Sequence, residues 1–206
     1  MAKYIDLSYT IENGLSTHPY DEELKLYQNR FLVKDKYNDT KLETDMHVGT
    51  HIDVVSHMLD SNVLIDDYPA DKFIGKGCLL DVRNQDVIKM KKMYLDIVEK
   101  DSIVLLYTGF ENQFGCDDYF NCHPIVEKEL AEFFIDRNIK MIGMDLPSPD
   151  KYPFQVHKML LEKEDILIIE NMKNIGSLLN VDKFEIIALP LKIKAEASPV
   201  RVVARI

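Results

Sequence analysis

The chain has 206 residues, of which 46% are hydrophobic, and its formal net charge is −10. This length and composition suffice for one domain with a full hydrophobic core. The acidic balance argues against a nucleic-acid groove, which would require clustered lysine and arginine. No apolar run approaches the ~20 residues of a membrane span, and residues 1–6 lack the apolar stretch of a signal peptide. We therefore expect a cytoplasmic protein.

Strand-like and helix-like segments alternate along the chain, which predicts one mixed α/β domain over residues 1–206. Extended segments are predicted, in chain order, at Ile5–Thr10, Phe31–Val33, Lys41–Met46, Gly77–Val82, Ile103–Thr108, Lys140–Leu146, Ile166–Glu170 and within Glu185–Ile206. Helices are predicted over Val87–Val98, from Pro124 through the apolar stripe Val126, Leu130, Phe133 and Phe134, and over His157–Glu164. The loop Gly109–His123 is long for a compact domain, and such loops are usually functional or mobile.

Three of the six histidines and an aspartate lie within the eleven-residue segment His47–His57. Imidazole nitrogens and carboxylate oxygens are the ligands that a divalent first-row metal ion prefers. A further imidazole just outside a three-ligand set can transfer protons. The segment therefore predicts half of a hydrolytic metal site. The alternative is a set of surface or strand histidines that bind no metal.

The spacing within this segment requires a bend in the chain. On a helix, Asp53 would point about 200° away from His51. On a straight strand, His47 and Asp53 would be roughly 20 Å apart, which is too far for metal–ligand bonds of ~2.0–2.2 Å. Gly49 permits a bend between His47 and His51. Beyond that bend, we expect His51 and Asp53 to lie on one face of a short extended piece.

Two later residues are candidates for the same site. His157 follows the Tyr152-Pro153-Phe154 turn, and Glu170 directly follows a buried apolar run. If both converge on Asp53, this carboxylate bridges two metal ions ~3.5–4 Å apart. The alternative is a helix-capping or solvated His157 and an exposed Glu170, and spacing alone does not decide between the two.

Three cysteines do not make a disulfide framework in a chain of this length. Cys116, Cys122 and His123 have the spacing C-x5-C-H, which matches no common zinc pattern. We therefore expect free thiols.

The run H-V-G-T-H-I-D-V-V-S-H closely resembles the H-x-G-T-H-x-D-x-x-x-H signature of the cyclase family, which contains bacterial kynurenine formamidases and isatin hydrolase-like enzymes. Segments similar to the family cover most of the chain, at Asp6–Ser8, His18–Tyr20, Asp71–Gly75, Leu79–Val82, Leu105–Gly109, Gly143–Asp145, His157–Leu161 and Ile169–Asn171. The chain departs from the family at Val55, where proline is usual, and at Tyr107, where a basic residue is common. Both departures bear on substrate selection.

The resemblance implies two divalent metal ions that share one carboxylate. The ligands of the first ion would be His47, His51 and Asp53, and those of the second would be Asp53, His157 and Glu170. It also implies that His57 is the catalytic histidine, that the core is β-rich and of the swivelling β/β/α type, and that the chain forms a homo-oligomer, a dimer or a tetramer. Zinc is the expected metal and manganese the alternative, since both accept a histidine–carboxylate set.

The expected reaction is metal-assisted hydrolysis of an aryl formamide such as N-formyl-kynurenine. The metal ions would lower the pKa of water from about 15.7 toward ~7, and His57, titrating near neutrality, would transfer the proton. Tyr20 and Phe110 are candidates for stacking on an aryl substrate, with core packing as the alternative. Two other functions remain open, namely hydrolysis of an isatin-like cyclic amide or lactone and metal-dependent binding without turnover.

Overall fold

The structure is a computed structural model that describes residues 2–162 and 166–206. The strands are β1 (Tyr4–Asp6), β2 (Lys25–Arg30), β3 (Asp39–Glu43), β4 (His51–Asp53), β5 (Ile74–Asp81), β6 (Val87–Ile88), β7 (Ile103–Tyr107), β8 (Ile125–Val126), β9 (Met141–Met144), β10 (Leu167–Glu170), β11 (Glu185–Ile187), β12 (Ala197–Pro199) and β13 (Val203–Arg205). The α-helices are α1 (Leu32–Asp35), α2 (Tyr94–Ile97), α3 (Tyr119–Cys122), α4 (Lys128–Asp136) and α5 (Gln155–Leu161). Short 3-10 helices lie at Val55–His57, Ile65–Asp67, Ala70–Phe73, Phe110–Gln113 and Ile175–Leu178.

Nine strands form one sheet in the order β1-β13-β11-β5-β7-β9-β10-β4-β12. The four central strands, β5, β7, β9 and β10, pair in parallel. Antiparallel strands extend the sheet on both sides, with β11, β13 and β1 on one side and β4 and β12 on the other. Helix α5 lies in the connection from β9 to β10, as expected for a parallel crossover. The architecture confirms the predicted mixed α/β fold with a β-rich core.

The central strands are buried on both faces, as is typical of parallel strands. Along β7, Val104 and Leu106 belong to the hydrophobic cluster that includes side chains of α4 and α5. Ile103 and Leu105 belong to a second cluster, which includes side chains of β11 and β13. All four are 0% exposed, so packing on both faces holds this strand and its neighbours rigidly.

A hairpin of β2 and β3 with α1 at its tip, called the arm here and spanning residues 25–43, lies outside the nine-stranded sheet. The predicted extended segment Phe31–Val33 is wrong, because α1 begins at Leu32. The Asp35 carboxylate accepts a hydrogen bond from the Phe31 N–H at 2.8 Å. Asn38 Oδ1 accepts one from the Leu32 N–H at 2.8 Å. These local polar contacts stabilise a helical turn where the apolar sequence favours a strand.

Two predicted helices are also wrong in extent. Val87–Val98 is not one helix, because Val87 and Ile88 form β6 and only Tyr94–Ile97 are α-helical. The helix predicted from Pro124 begins at Lys128 instead, since the residues between them form β8. Strands β6 and β8 pair with each other in parallel. A pairing between distant segments has therefore overridden local helical spacing.

The remaining elements follow the predictions with shifted ends. The predicted strand Ile5–Thr10 is confined to β1, and the predicted helix His157–Glu164 corresponds to α5, with residues 163 and 164 outside the described part of the chain. The loop Gly109–His123 contains a 3-10 helix and α3. All three cysteines are free, as predicted. Among the described residues, no helix is both long and apolar enough to cross a membrane.

Replacement of Gly77 tests the packing of β5 against the antiparallel part of the sheet. A Cβ added at Gly77 would lie 2.0 Å from Cε2 of Phe184, a side chain that is 7% exposed. We expect Gly77→Ala to lower the free energy of unfolding by about 1–3 kcal/mol, measured by denaturant titration. In the control Gly75→Ala the nearest atoms belong to Ile103 at 3.3 Å, so its loss should be smaller. Equal losses in the two variants would contradict this packing.

Candidate metal centre

The pairing of β4 with β10 places the first ligand candidates side by side. The two strands are antiparallel, with His51 opposite Glu170 and Asp53 opposite Ile168. Residues two apart on a strand share a face, so the side chains of His51 and Asp53 lie on the face that carries Glu170. His51 Nε2 lies 3.4 Å from Glu170 Oε2 and 3.5 Å from Asp53 Oδ1. The short extended piece predicted from the sequence is therefore present.

A bend before β4 brings His47 back to this cluster. Gly49 has a φ of +56°, a left-handed conformation that glycine adopts without steric cost. His47 Nδ1 lies 2.9 Å from Asp53 Oδ1. The Asp53 side chain is 0% exposed and lies within 3.5 Å of both His47 and His51. The bend at Gly49 is the one that the spacing of the segment requires.

Helix α5 supplies His157, which lies beside the second carboxylate oxygen of Asp53. His157 Nε2 lies 3.4 Å from Asp53 Oδ2, and His157 Nδ1 lies 3.9 Å from Glu170 Oε1. The Asp150 carboxylate accepts hydrogen bonds from the backbone N–H groups of Val156 at 2.6 Å and His157 at 3.4 Å. It thereby satisfies free N–H groups in the first turn of the helix and fixes the position of His157. His157 and Glu170 are both buried rather than solvated.

His57 lies at the end of the 3-10 helix that follows β4. Its ring centroid is 4.1 Å from that of His47 and 5.4 Å from that of His157. Val55, where the family usually has proline, is buried, and its carbonyl accepts the Leu59 N–H at 3.0 Å. A helical turn therefore holds His57 beside the cluster without the proline.

Five buried atoms of the cluster show whether it fits a metal ion. Within residues 2–162 and 166–206, His51 Nε2, both carboxylate oxygens of Asp53, His157 Nε2 and Glu170 Oε1 have no partner in hydrogen-bonding geometry, although His47 forms an ion pair with Asp53 Oδ1. A buried polar atom without a partner costs about 1–3 kcal/mol. Imidazole nitrogens and carboxylate oxygens that face one another are the donor set of a divalent first-row cation. The side chains of this cluster therefore fit a metal ion.

The ligand candidates form two groups that share Asp53. One group is His51, Asp53 and Glu170, and the other is His47, Asp53 and His57, with the ligand atoms of each group within 4.8 Å of one another. The resemblance implies a different division, in which His47 and His51 share an ion and His57 is not a ligand. Asp53 is the common member in both divisions, as a bridging carboxylate would be.

Charge in the cluster is concentrated on the pair His47 and Asp53. Burial opposes a charged His47, but the adjacent Asp53 carboxylate outweighs it and raises the pKa of His47 to about 9. Burial likewise opposes a charged Asp53, but His47 and His51 hold the pKa of its carboxyl well below the usual range. Burial and the nearby Asp53 charge raise the pKa of Glu170. A cation that binds these atoms therefore displaces protons from imidazole, so its affinity must fall with falling pH.

The acid–base properties of His57 differ from the expectation. Burial, reinforced by the neighbouring His47 and His157, lowers the pKa of His57 to about 4, although Asp53 acts in the opposite direction. The sequence-based expectation of titration near neutrality is therefore wrong for this environment. At pH 7 the ring is neutral and able to accept a proton.

A cavity of about 240 Å³ opens onto the cluster. Outside the ligand set, the cavity is lined by His57 and by a group that includes His18, Asp21, Met58, Phe120, Ser148, Phe154 and Asn171. The sequence-based candidates Tyr20 and Phe110 do not line it, since Tyr20 is 94% exposed and Phe110 stacks on Tyr119 with ring centroids 5.4 Å apart. Sequence reasoning missed Phe120, although the length of the loop Gly109–His123 was a signal for it.

The second departure from the family pattern, Tyr107, is not at this cavity. Its ring lies beside the Arg83 guanidinium, 5.3 Å from the ring centroid to Cζ. It lines a separate surface depression with Glu111 and Asn174. The structure therefore gives Tyr107 no direct contact with a molecule bound in the cavity.

Comparison with known proteins relates the fold and site to other chains. Residues 5–151 match the family model Cyclase, described as "Putative cyclase". Kynurenine formamidase of Bacillus anthracis is 30% identical over 99% of this chain and 98% of its own length. The protein of the same name from Bacillus thuringiensis (strain Al Hakam) is 29% identical with the same coverage.

Solved structures share the fold at lower identity. Isatin hydrolase A from Labrenzia aggregata, bound to benzyl benzoate, has a TM-score of 0.86 and 22% identity, with 100% of this chain and 94% of that chain covered. Isatin hydrolase A from Ralstonia solanacearum has a TM-score of 0.85 and 19% identity, covering 100% and 92%. The family model spans most of this chain and includes the whole His47–His57 segment. The chain belongs to the Cyclase family.

Proposed function

We propose that this chain is a metal-dependent amide hydrolase that converts an aryl formamide such as N-formyl-kynurenine to formate and the aryl amine. The observation that carries the proposal is the buried Asp53 carboxylate, which belongs to two groups of potential ligand atoms whose other members line one cavity. The full-length similarity to proteins named kynurenine formamidase supports the substrate class.

The proposed centre has His47, His51, Asp53, His157 and Glu170 as ligands and holds two divalent ions, zinc first and manganese as the alternative. Their geometry supports this set, since each has a ligand atom within 4 Å of one on another member. When bound, such ions lower the pKa of water toward about 7 and polarise the scissile carbonyl. Histidine with carboxylate suits both metals, so supply decides which is loaded.

His57 is the proposed proton carrier of the reaction. A ring nitrogen of neutral His57 takes a proton from the attacking water as the new C–O bond forms. The same nitrogen donates that proton to the leaving amine as the C–N bond breaks, which restores neutral His57 and balances the reaction. Its position beside His47 and His157 supports this role. Its low pKa keeps the ring neutral at pH 7 and so able to accept a proton, but also makes it a weaker base.

Apolar side chains of the cavity are the proposed contacts of the aryl group. Phe120 and Phe154 line the cavity together with Met58. An aromatic ring packs favourably on aromatic faces and on a thioether. Phe120 belongs to α3 within the loop Gly109–His123, so this loop contributes to the substrate site.

We also propose that the chain functions as a homo-oligomer, in which the arm is covered by a second copy. Leu32 is 59% exposed and Val33 92% exposed at the tip of the arm. The accessible surface is 11343 Å², whereas a monomer of this mass typically exposes about 9,900 Å². The excess of about 1,400 Å² is larger than the ~800 Å² that each partner buries in a standard interface. Cytoplasmic location stays a prediction.

Turnover of N-formyl-kynurenine tests the proposed activity. Chelator-stripped protein should be inactive, and addition of Zn²⁺ or Mn²⁺ should restore hydrolysis with a kcat of roughly 1–10³ s⁻¹. Formate release and metal content are measured on the same samples. Two bound metal ions per chain without turnover would contradict the formamidase assignment, and an isatin-type cyclic amide is then the next substrate.

Substitution of His57 tests its role. We expect His57→Asn to retain wild-type metal content and to lose about 10²–10⁴-fold in kcat, the usual contribution of general acid–base catalysis. The matched control is His123→Asn, because His123 is also buried and burial also lowers its pKa to about 4. The control should retain kcat. Loss of metal from His57→Asn would instead make His57 a ligand, as its grouping with His47 and Asp53 allows.

The molar mass of the protein in solution tests whether the arm is covered by a second copy of the chain. Light scattering should give a multiple of 23.9 kDa for the wild-type chain, and the double variant Leu32→Ser with Val33→Ser should shift toward the monomer. A control pair, Met93→Ser with Leu95→Ser, removes exposed apolar side chains outside the arm and should leave the mass unchanged. A monomeric wild-type chain, or a double variant with wild-type mass, would contradict the proposal.

A further inference from the structure

Asn171 occupies a constrained position directly after the ligand candidate Glu170. It is 4% exposed, and its φ is +52°, a left-handed conformation that asparagine tolerates better than most residues. Its backbone N–H donates to the Leu146 carbonyl at 2.8 Å, and its own carbonyl accepts from Thr50 Oγ1 at 2.6 Å. The backbone of Asn171 is therefore fixed on both sides.

Both ends of the Asn171 side-chain amide form hydrogen bonds. Its Nδ2 donates to the Gly49 carbonyl at 3.2 Å. Its Oδ1 accepts a hydrogen bond from the Tyr119 hydroxyl at 2.8 Å. A backbone carbonyl only accepts hydrogen bonds, so the NH₂ of the amide must face Gly49 and its oxygen must face Tyr119. The orientation of this buried amide is thus determined by its partners.

The Gly49 carbonyl has a second partner, which is a ligand candidate. His51 Nδ1 lies 2.8 Å from the same carbonyl oxygen. Because this oxygen cannot donate, Nδ1 must carry the proton of the contact. In the neutral ring, Nε2 then carries the free lone pair, and Nε2 is the atom that faces Glu170 and Asp53. Asn171 and His51 are therefore joined through one carbonyl oxygen.

We propose that Asn171 is a positioning residue of the metal centre, which holds the Gly49 carbonyl so that His51 presents Nε2 to the ion. This inference rests on the proposed metal centre. Hydrogen bonds that orient a ligating histidine typically contribute 10–100-fold to metal affinity. The Tyr119 hydroxyl, from the loop Gly109–His123, holds the Asn171 amide in this orientation by its hydrogen bond to Oδ1.

The test compares variants by metal affinity. In Asn171→Gly the left-handed backbone stays free of steric cost and only the amide is lost. We expect its dissociation constant for Zn²⁺, measured by chelator competition, to rise about 10–100-fold, and the absorption spectrum of the Co²⁺-loaded protein to change. The control is Asn174→Gly, since Asn174 also has a positive φ, +59°, but does not line the cavity. Its affinity and spectrum should match the wild type.

Two further measurements keep the outcomes distinct. Tyr119→Phe removes one hydroxyl and should weaken metal binding less than Asn171→Gly does, which gives a second reading if the glycine variant fails to fold. If Asn171→Gly and Tyr119→Phe both keep the wild-type Zn²⁺ affinity and Co²⁺ spectrum, the proposal is overturned. A loss of activity alone would not support it, because Asn171 would then act on the substrate and not on the metal centre. If wild-type protein binds metal but does not hydrolyse the formamide, the substrate assignment fails while this test still applies. If wild-type protein binds no metal, both the proposed metal centre and the proposed role of Asn171 are overturned.

Discussion

The Asp53 carboxylate lies fully buried among imidazole rings and within reach of a second buried carboxylate, Glu170. Two carboxylates in a protein interior are strongly destabilising unless cationic groups neutralise them. His47 supplies part of this compensation, at 2.9 Å from Asp53. Among the described residues, His51 Nε2, His157 Nε2 and Glu170 Oε1 lack a hydrogen-bond partner. Buried negative charge and unpartnered ligand atoms together favour binding of divalent cations at this site.

Rigid elements hold the cluster in this unfavourable arrangement. Strand pairing places His51 opposite Glu170, and hydrophobic clusters on both faces bury the central strands. The Asp150 carboxylate fixes the first turn of α5 and therefore His157. Ligands on paired strands and a capped helix keep their geometry more precisely than ligands on loops. The free energy of packing thus sustains a site that is electrostatically costly.

The sequence predicted the parts of the site that local spacing controls. The even spacing of His51 and Asp53, and the glycine before them, required a bend followed by a strand, and both are present. Long-range contacts were not predictable from spacing. Val87 and Ile88, which were predicted to begin a helix, pair with β8 as strand β6. Phe120, which lines the cavity, comes from a loop whose path depends on tertiary packing. The low pKa of His57 likewise follows from burial that spacing does not reveal.

In the proposed centre, Asp53 is a ligand of two metal ions at once. A crystal structure of the zinc-loaded protein, with anomalous diffraction data at the zinc absorption edge, tests it directly. We expect two anomalous peaks about 3.5–4 Å apart, each within bonding distance of one Asp53 oxygen. A single peak, or two peaks of which only one contacts Asp53, would contradict the shared-carboxylate centre.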